Sequence, residues 1–296
     1  MHPEKSMLEK SKLEKSKSLR LKADLALLLI TIGWGSSFIL TKNALADLAT
    51  FNFLSLRFLL AFAISGVIFW KKLLRADIKT YKAGAIVGTV LFLGYAFQTL
   101  GLTTTTASNS AFITGFSVIL VPLLSALVFR SKVPWYATLG TFMALGGLGL
   151  LTLGDQFQLG IGDALTLICT FAFASHIILV GHLTKDVDSI VLGVVQIGVV
   201  GILSTLASFL FETPTIPMEI GVWTNLTILA VLCTAGAFIV QSVAQQYTTA
   251  THTALIYTGE PVFAAVFAYF MVGEVLSSRG LVGAVLVVMG MLTAEL

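Results

Sequence analysis

Apolar residues run through this chain in long blocks that polar residues interrupt only briefly. Blocks of spanning length cover Ala23–Thr41, Phe51–Trp70, Lys82–Leu102, Ser108–Phe129 and Pro134–Leu153, then Ile161–Val180, Ile190–Phe211, Val222–Val243, Thr253–Val272 and Leu281–Leu296. Each is close to the roughly 20 apolar residues that cross about 30 Å of hydrocarbon as a helix. The pattern predicts an all-α membrane protein of ten transmembrane helices. Connections are short, so sequential helices pack antiparallel, and Pro214 and Pro217 mark one break by turn chemistry.

Composition agrees. Of 296 residues 56% are hydrophobic and only 11% charged, where a soluble domain carries about 25% charge. No room remains for a sizeable soluble domain. Cys169 and Cys233 both fall inside apolar blocks and read as small buried hydrophobes rather than a disulfide framework.

Charge distribution sets the expected orientation. Fifteen of the eighteen Lys and Arg fall on one side: seven between Lys5 and Lys22, then Lys71, Lys72, Arg75, Lys79 and Lys82, then Arg130, Lys132 and Lys185. Only Lys42 and Arg279 fall on the other, and Arg57 lies within a helix. The positive-inside bias predicts a basic cytosolic tail over residues 1–22, an uncleaved first helix, and both termini cytoplasmic in a bacterial-type inner membrane. Nothing aromatic accompanies the tail lysines, so no nucleic-acid partner is expected.

The chain also repeats itself. A shift of 139 residues carries Asp24, Thr31, Gly33, Trp34, Gly35, Ser36 and Ile39 onto Asp163, Thr170, Ala172, Phe173, Ala174, Ser175 and Ile178, and Arg57 onto Gln196. A shift of 143 carries Gln98, Thr105, Thr106, Ala107, Ala111 and Ile113 onto Gln241, Thr248, Thr249, Ala250, Ala254 and Ile256, with Gly140 and Gly147 onto Gly283 and Gly290. The register divides the chain into halves of five helices, 23–154 and 155–296. Five is odd, so the second half enters the membrane inverted, the architecture of secondary transporters that alternate access to a midplane site.

Motifs sharpen this. Gly33-Trp34-Gly35-Ser36-Ser37-Phe38 ending in Lys42, Leu56-Arg57-Phe58, and Glu260-Pro261-Val262-Phe263-Ala264 followed by Gly273-Glu274 resemble the signatures of EamA-type members of the drug/metabolite transporter superfamily. The resemblance runs from about Ala23 to the end. It implies a ten-helix exporter of amino acids, related metabolites or drugs, with a central cavity between the halves. One departure is that this chain stops at Glu295-Leu296 where such proteins often carry a basic tail.

Polar and aromatic residues inside spans are the candidate solute-binding set, because burying them costs energy unless they are partnered. Gln98 and Gln241 are repeat partners, as are Asn109 and His252; the glutamines read either as interhelical glue or as cavity lining. Trp34 and Phe173 are partners flanked by small residues, and Tyr95 and Tyr257 join them, whereas Trp70 and Trp135 read as interfacial anchors. Arg57 reads as an anion receptor or a fixed structural cation. Glu260, the only carboxylate well inside a span, reads as a proton or ammonium site or as a packing residue. Pro122 and Pro261 should kink their helices one turn out of register.

No Walker motif, paired catalytic groups or metal spacing at His176 stands out, so no cofactor and no enzymatic activity are expected. The expected partners are a small solute, lipid and, through Glu260, protons. A membrane scaffold or an intramembrane enzyme is the alternative.

Overall fold

The computed structural model describes residues 3–128, 135–152 and 160–294, and every regular element among them is helical. In chain order these are α1 (Pro3–Ala44), α2 (Thr50–Ile68), α3 (Trp70–Arg75), α4 (Ile78–Leu102), α5 (Ala107–Val128), α6 (Trp135–Thr152), α7 (Ile161–Leu183) and α8 (Ser189–Phe211). Then follow α9 (Ile220–Ala230), a π-helical turn (Val231–Gly236), α10 (Ala237–Ala244), α11 (Ala250–Tyr257), α12 (Gly259–Val272) and α13 (Ser278–Ala294). Arg130, Lys132, Asp155, Glu295 and Leu296 lie outside the described residues.

Among the described residues eight stretches are long and apolar enough to cross a membrane: Lys17–Ala44, Thr50–Ile68, Ile78–Leu102, Ala107–Val128, Ile161–Leu183, Ser189–Phe211, Ile220–Ala244 and Ala250–Val272. The two remaining apolar helices are shorter, at Thr138–Leu150 in α6 and Ser278–Thr293 in α13. The structure therefore supports an all-α, multi-pass membrane protein directly, while a count of ten spans depends on those two helices.

The solvent it is built for is legible in what faces outward. Phe142, Phe209 and Phe270 are more than two-thirds exposed, whereas Arg57, Gln196 and Gln241 are buried. This reverses the soluble pattern: lipid exerts no hydrophobic drive on apolar faces, and polar groups are stable only where protein partners or a cavity receive them. Trp70 and Trp135 are exposed, as interfacial anchors should be.

Helix starts are fixed by carboxylates. Asp77 accepts from Thr80 N at 2.9 Å to cap α4, and Asp188 accepts from Ile190 N and Val191 N at 2.9 and 3.2 Å to cap α8. Glu212, just past α8, accepts from Phe51 N and Asn52 N at 2.9 and 2.8 Å, tying that end to the start of α2. Each satisfies amides that have no intrahelical acceptor.

Packing is mostly between the halves rather than within them. Helix α2 lies on α8, α4 on α7 and α8, α5 on α7 and α12, α1 on α10 and α12, and α6 on α13. The first and ninth-helix motifs meet here: a Cβ on Gly35 would stand 2.7 Å from Phe263 Cβ and 2.9 Å from Ala264 N, so only glycine lets α1 approach α12 this closely. The α6–α13 contact uses the same device, with Gly147 against the Gly283 carbonyl and Gly290 against the Gly140 carbonyl.

Two helices are interrupted near the bundle's middle. Residues 250–272 break at Thr258, which separates α11 from α12 and leaves Pro261 in α12's first turn, where a missing N–H is tolerated. The expected counterpart at Pro122 is different: α5 continues through it without a break. The second interruption, the π-turn before α10, was not anticipated from the sequence.

Candidate functional site

A partly open cleft lies among α1, α4, α5, α7, α10 and the α11–α12 irregularity. Only about 50 Å³ of it admits the centre of a water molecule, so it is a narrow cleft rather than an open channel.

One wall is aromatic. The Trp34 ring stands 5.5 Å from Phe238 and 5.1 Å from Tyr257, and Tyr95 stands 5.5 Å from Phe173 and 6.0 Å from Phe238. These separations are those of favourable tilted and edge-to-face pairs. All five rings line the cleft.

The other polar groups come from five helices. Gln98 Nε2 donates to Thr114 Oγ1 at 3.1 Å. His176 Nε2 lies 2.7 Å from Gln196 Oε1, whose amide donates to Ser242 Oγ at 3.1 Å. Gln241 donates to Gln245 Oε1 at 3.0 Å. Among the described residues, Gln241 Oε1 and the Tyr257 hydroxyl are buried with no hydrogen-bond partner, although both residues line the cleft. Buried polar atoms are rarely left so, which marks them as ready to meet a ligand or water.

Glu260 is the one carboxylate in the lining. It sits in the first turn of α12, where the helix dipole favours an anion. Among the described residues no cation stands within 4.0 Å of it.

Arg57 is placed behind this wall rather than on it. It is 1% exposed; Nε donates to Thr234 Oγ1 at 2.8 Å, and Nη2 reaches the Cys233 carbonyl at 3.5 Å. Its guanidinium carbon lies 5.5 Å from the Phe58 ring centroid and 5.1 Å from that of Tyr95. The π-turn explains the acceptors. Thr234 Oγ1 bonds back to the Leu229 carbonyl, five residues earlier, and the Cys233 carbonyl also receives Trp34 Nε1 at 2.9 Å. One local widening of the helix thus anchors both Arg57 and Trp34, a common use of π-turns.

Of the candidate residues, Trp34, Tyr95, Gln98, Phe173, Gln241, Tyr257 and Glu260 line the cleft together. Asn109 and His252 do not. Asn109 sits in the first turn of α5, its N–H bonded to Thr106 Oγ1, and His252 Nε2 lies 3.2 Å from Asp24 Oδ1, joining α11 to α1. Gln98 both bridges α4 to α5 and lines the cleft, whereas Gln241 lines it while bonding Gln245 at the end of its own helix.

Sequence reasoning missed Ser37, Phe38, Thr114, Ser117 and His176 as lining residues, yet the repeat register contained the signal. Shifted by 139, Ser37 and Phe38 fall on His176 and Ile177; shifted by 143, Tyr95, Thr114 and Ser117 fall on Phe238, Tyr257 and Glu260. With Trp34 and Phe173, and Gln98 and Gln241, this makes seven partner pairs, and both members of every pair line the one cleft. Among the described residues no three His, Cys, Asp or Glu side chains are placed to hold a metal ion, and Cys169 and Cys233 are buried free thiols.

A helical bundle with an apolar exterior and an aromatic, polar-tipped cleft at its centre defines a multi-pass membrane protein built to receive a small solute. The chain belongs to the EamA-like transporter family, whose model matches it twice, at residues 21–153 and 160–294. It is 32% identical to an "Uncharacterized transporter" of Archaeoglobus fulgidus over 277 residues, covering 94% of this chain and 87% of the relative. It is also 25% identical to the "Uncharacterized transporter YyaM" of Bacillus subtilis, covering 91% and 92%. A solved crystal structure shares the fold with a TM-score of 0.69 at 18% identity, over 92% of this chain and 96% of that one.

Proposed function

We propose that the protein is a secondary transporter that exports a small solute carrying an ammonium group, such as an amino acid or a drug-like amine, across a bacterial-type inner membrane. In this reading ten spans form two inverted five-helix halves, 23–154 and 155–296, which alternate access to the cleft, and the chemistry is movement rather than catalysis.

The observation that carries it is the lining: seven pairs of repeat-equivalent residues meet in one cavity. Such a meeting is what a pseudo-two-fold axis through a midplane site produces. Within the pairs the polarity is unequal, with Glu260 opposite Ser117, Tyr257 opposite Thr114 and His176 opposite Ser37. A single carboxylate beside Trp34, Tyr95, Phe173, Phe238 and Tyr257 suits a cation, which is drawn both to the charge and to ring faces. Solute contact is assigned to Trp34, Tyr95, Gln98, Phe173, Gln241, Tyr257 and Glu260, with Arg57 acting on Tyr95 from behind.

Purified protein in proteoliposomes carrying a pH gradient should move members of a panel of labelled amines and amino acids, saturably and faster than empty vesicles. No flux with any member of the panel rejects the reading.

Orientation has its own test. Reporter tags after Ala76 and after Leu296 should read cytosolic and one after Asp155 external, as the basic bias requires. An external reading at Ala76 overturns the orientation and with it the direction of export.

A further inference from the structure

A second groove lies away from the cleft, where the α3–α4 connection meets the α7–α8 connection. It is open, and is lined by Lys71, Lys72, Arg75 and Lys185 together with Asp77, Asp186 and Asp188.

The carboxylates do not cancel the cations. Asp188 is engaged by Lys72 Nζ at 2.8 Å and by the first amides of α8. Burial pushes its carboxyl up, but Lys72 and the Val191 and Ile190 amides outweigh that and hold it below the usual carboxylate range, so Lys72 is neutralised where it stands. Asp77 is spent on Thr80 at the start of α4. What remains is Asp186 against Lys71, Arg75 and Lys185, and among the described residues neither Arg75 nor Lys185 has a carboxylate within 4.0 Å. Lys71 has only the Trp70 ring, 5.7 Å away.

The groove's edge is apolar. Leu74 and Ile78 are 76% and 69% exposed, Trp70 is exposed beside them, and Ile68 continues the strip along α2. A surplus of cation next to an exposed tryptophan and aliphatic side chains matches a molecule with an anionic head and an apolar body. Helix α3, Trp70–Arg75, carries both basic residues (Lys71, Lys72, Arg75) and apolar ones (Trp70, Leu73, Leu74), so one short element offers partners to head and body alike.

We propose that this groove binds the phosphate of an anionic membrane phospholipid, with Arg75, Lys185 and Lys71 on the headgroup and Leu74 and Ile78 along the acyl chain. The site is independent of the transport reading, since it needs neither the cleft nor flux. Soluble phosphate would offer the same head chemistry without the chain, and the exposed aliphatic edge favours the lipid.

The test uses the full chain in detergent, with phosphatidylglycerol and phosphatidylcholine of the same acyl chains as probes and native mass spectrometry as the readout. Phosphatidylglycerol should be retained in preference to phosphatidylcholine. Arg75→Gln with Lys185→Gln should weaken phosphatidylglycerol binding on the order of tenfold while leaving phosphatidylcholine unchanged, each surface cation contributing about fivefold at most. Arg75→Lys with Lys185→Arg should restore the preference, and the single Lys185→Gln variant reports the same loss in smaller measure if the double variant folds poorly. Equal retention of the two lipids, or undiminished phosphatidylglycerol binding by the glutamine variants, overturns the proposal. Displacement of phosphatidylglycerol by millimolar inorganic phosphate also overturns it, by making a soluble anion the occupant.

Discussion

Glu260→Gln is expected to abolish solute accumulation driven by a pH gradient while leaving solute exchange in place. An ionised carboxylate at membrane depth costs at least about 2.5–3.5 kcal/mol on insertion scales, so it must be paired, hydrated or protonated. No cation within 4.0 Å pairs it among the described residues, and it faces a cleft that admits little water. Glu260 stands in the first turn of α12, just past the irregularity at Thr258, where the helix dipole favours an anion. A carboxyl held this way has two ways to lose its charge, by taking a proton or by meeting an ammonium group, and it cannot do both at once. That competition couples the two flows. With one proton exchanged per solute, one pH unit supports about a tenfold concentration ratio. Glutamine keeps the size and the hydrogen bonding but cannot titrate, so the ratio should fall to one while exchange of labelled for unlabelled solute continues. Undiminished accumulation by the variant removes proton coupling from Glu260 and leaves it as a packing residue or neutral ligand. Loss of exchange as well would show that the solute's ammonium group needs the charge itself and is not held by the aromatic wall alone.

The apolar blocks were legible because lipid demands them: each long helix of the structure overlies one. The cleft was legible in outline, since a polar residue inside a block has to face something other than lipid, and Trp34, Tyr95, Gln98, Phe173, Gln241, Tyr257 and Glu260 all do. Two kinds of information were out of reach. One is which neighbour a polar group finds: that Asn109 and His252 lie near helix starts was visible along the chain, but not that His252 there meets Asp24 or that neither residue reaches the cleft. The other is backbone irregularity. Nothing in Val231–Gly236 announces a π-turn: Thr234 bonds back to Leu229 within it, but it also accepts from Trp34 of α1 and Arg57 of α2, which the local sequence does not show. Pro122 gives the converse lesson, as the same residue type that accompanies the break near Tyr257 leaves α5 continuous. The lining residues that went unnoticed, such as Thr114 and Ser117, are small and tolerable anywhere in a helix; only their register with Tyr257 and Glu260 distinguishes them.

The second large effect is expected at Arg57, where depth in the helix was evident from the sequence but the partner was not. The guanidinium is buried to 1% exposure with no carboxylate within 4.0 Å among the described residues, and neutral acceptors and ring faces hold it. A charge-assisted hydrogen bond contributes about 1.5–3 kcal/mol and a desolvated cation–π contact about 2 kcal/mol. Against this stands the desolvation of the cation itself, several kcal/mol, which its removal would return. The opposing terms are of similar size, so Arg57→Gln should fold with reduced thermal stability rather than fail to fold. The larger loss should be in flux, because Tyr95 and the π-turn that holds Trp34 both lean on the guanidinium. Arg57→Lys should not rescue it, since an ammonium keeps the charge but lacks the planar fork that bonds Thr234 while lying over Tyr95. A double-mutant cycle with Thr234→Val isolates the contact: a coupling of about 0.5–3 kcal/mol in thermal unfolding is expected for groups bonded at 2.8 Å. Strict additivity would show that Thr234 does not hold Arg57, and wild-type flux with wild-type stability in Arg57→Gln would show that Arg57 is needed neither for the cleft's architecture nor for the solute.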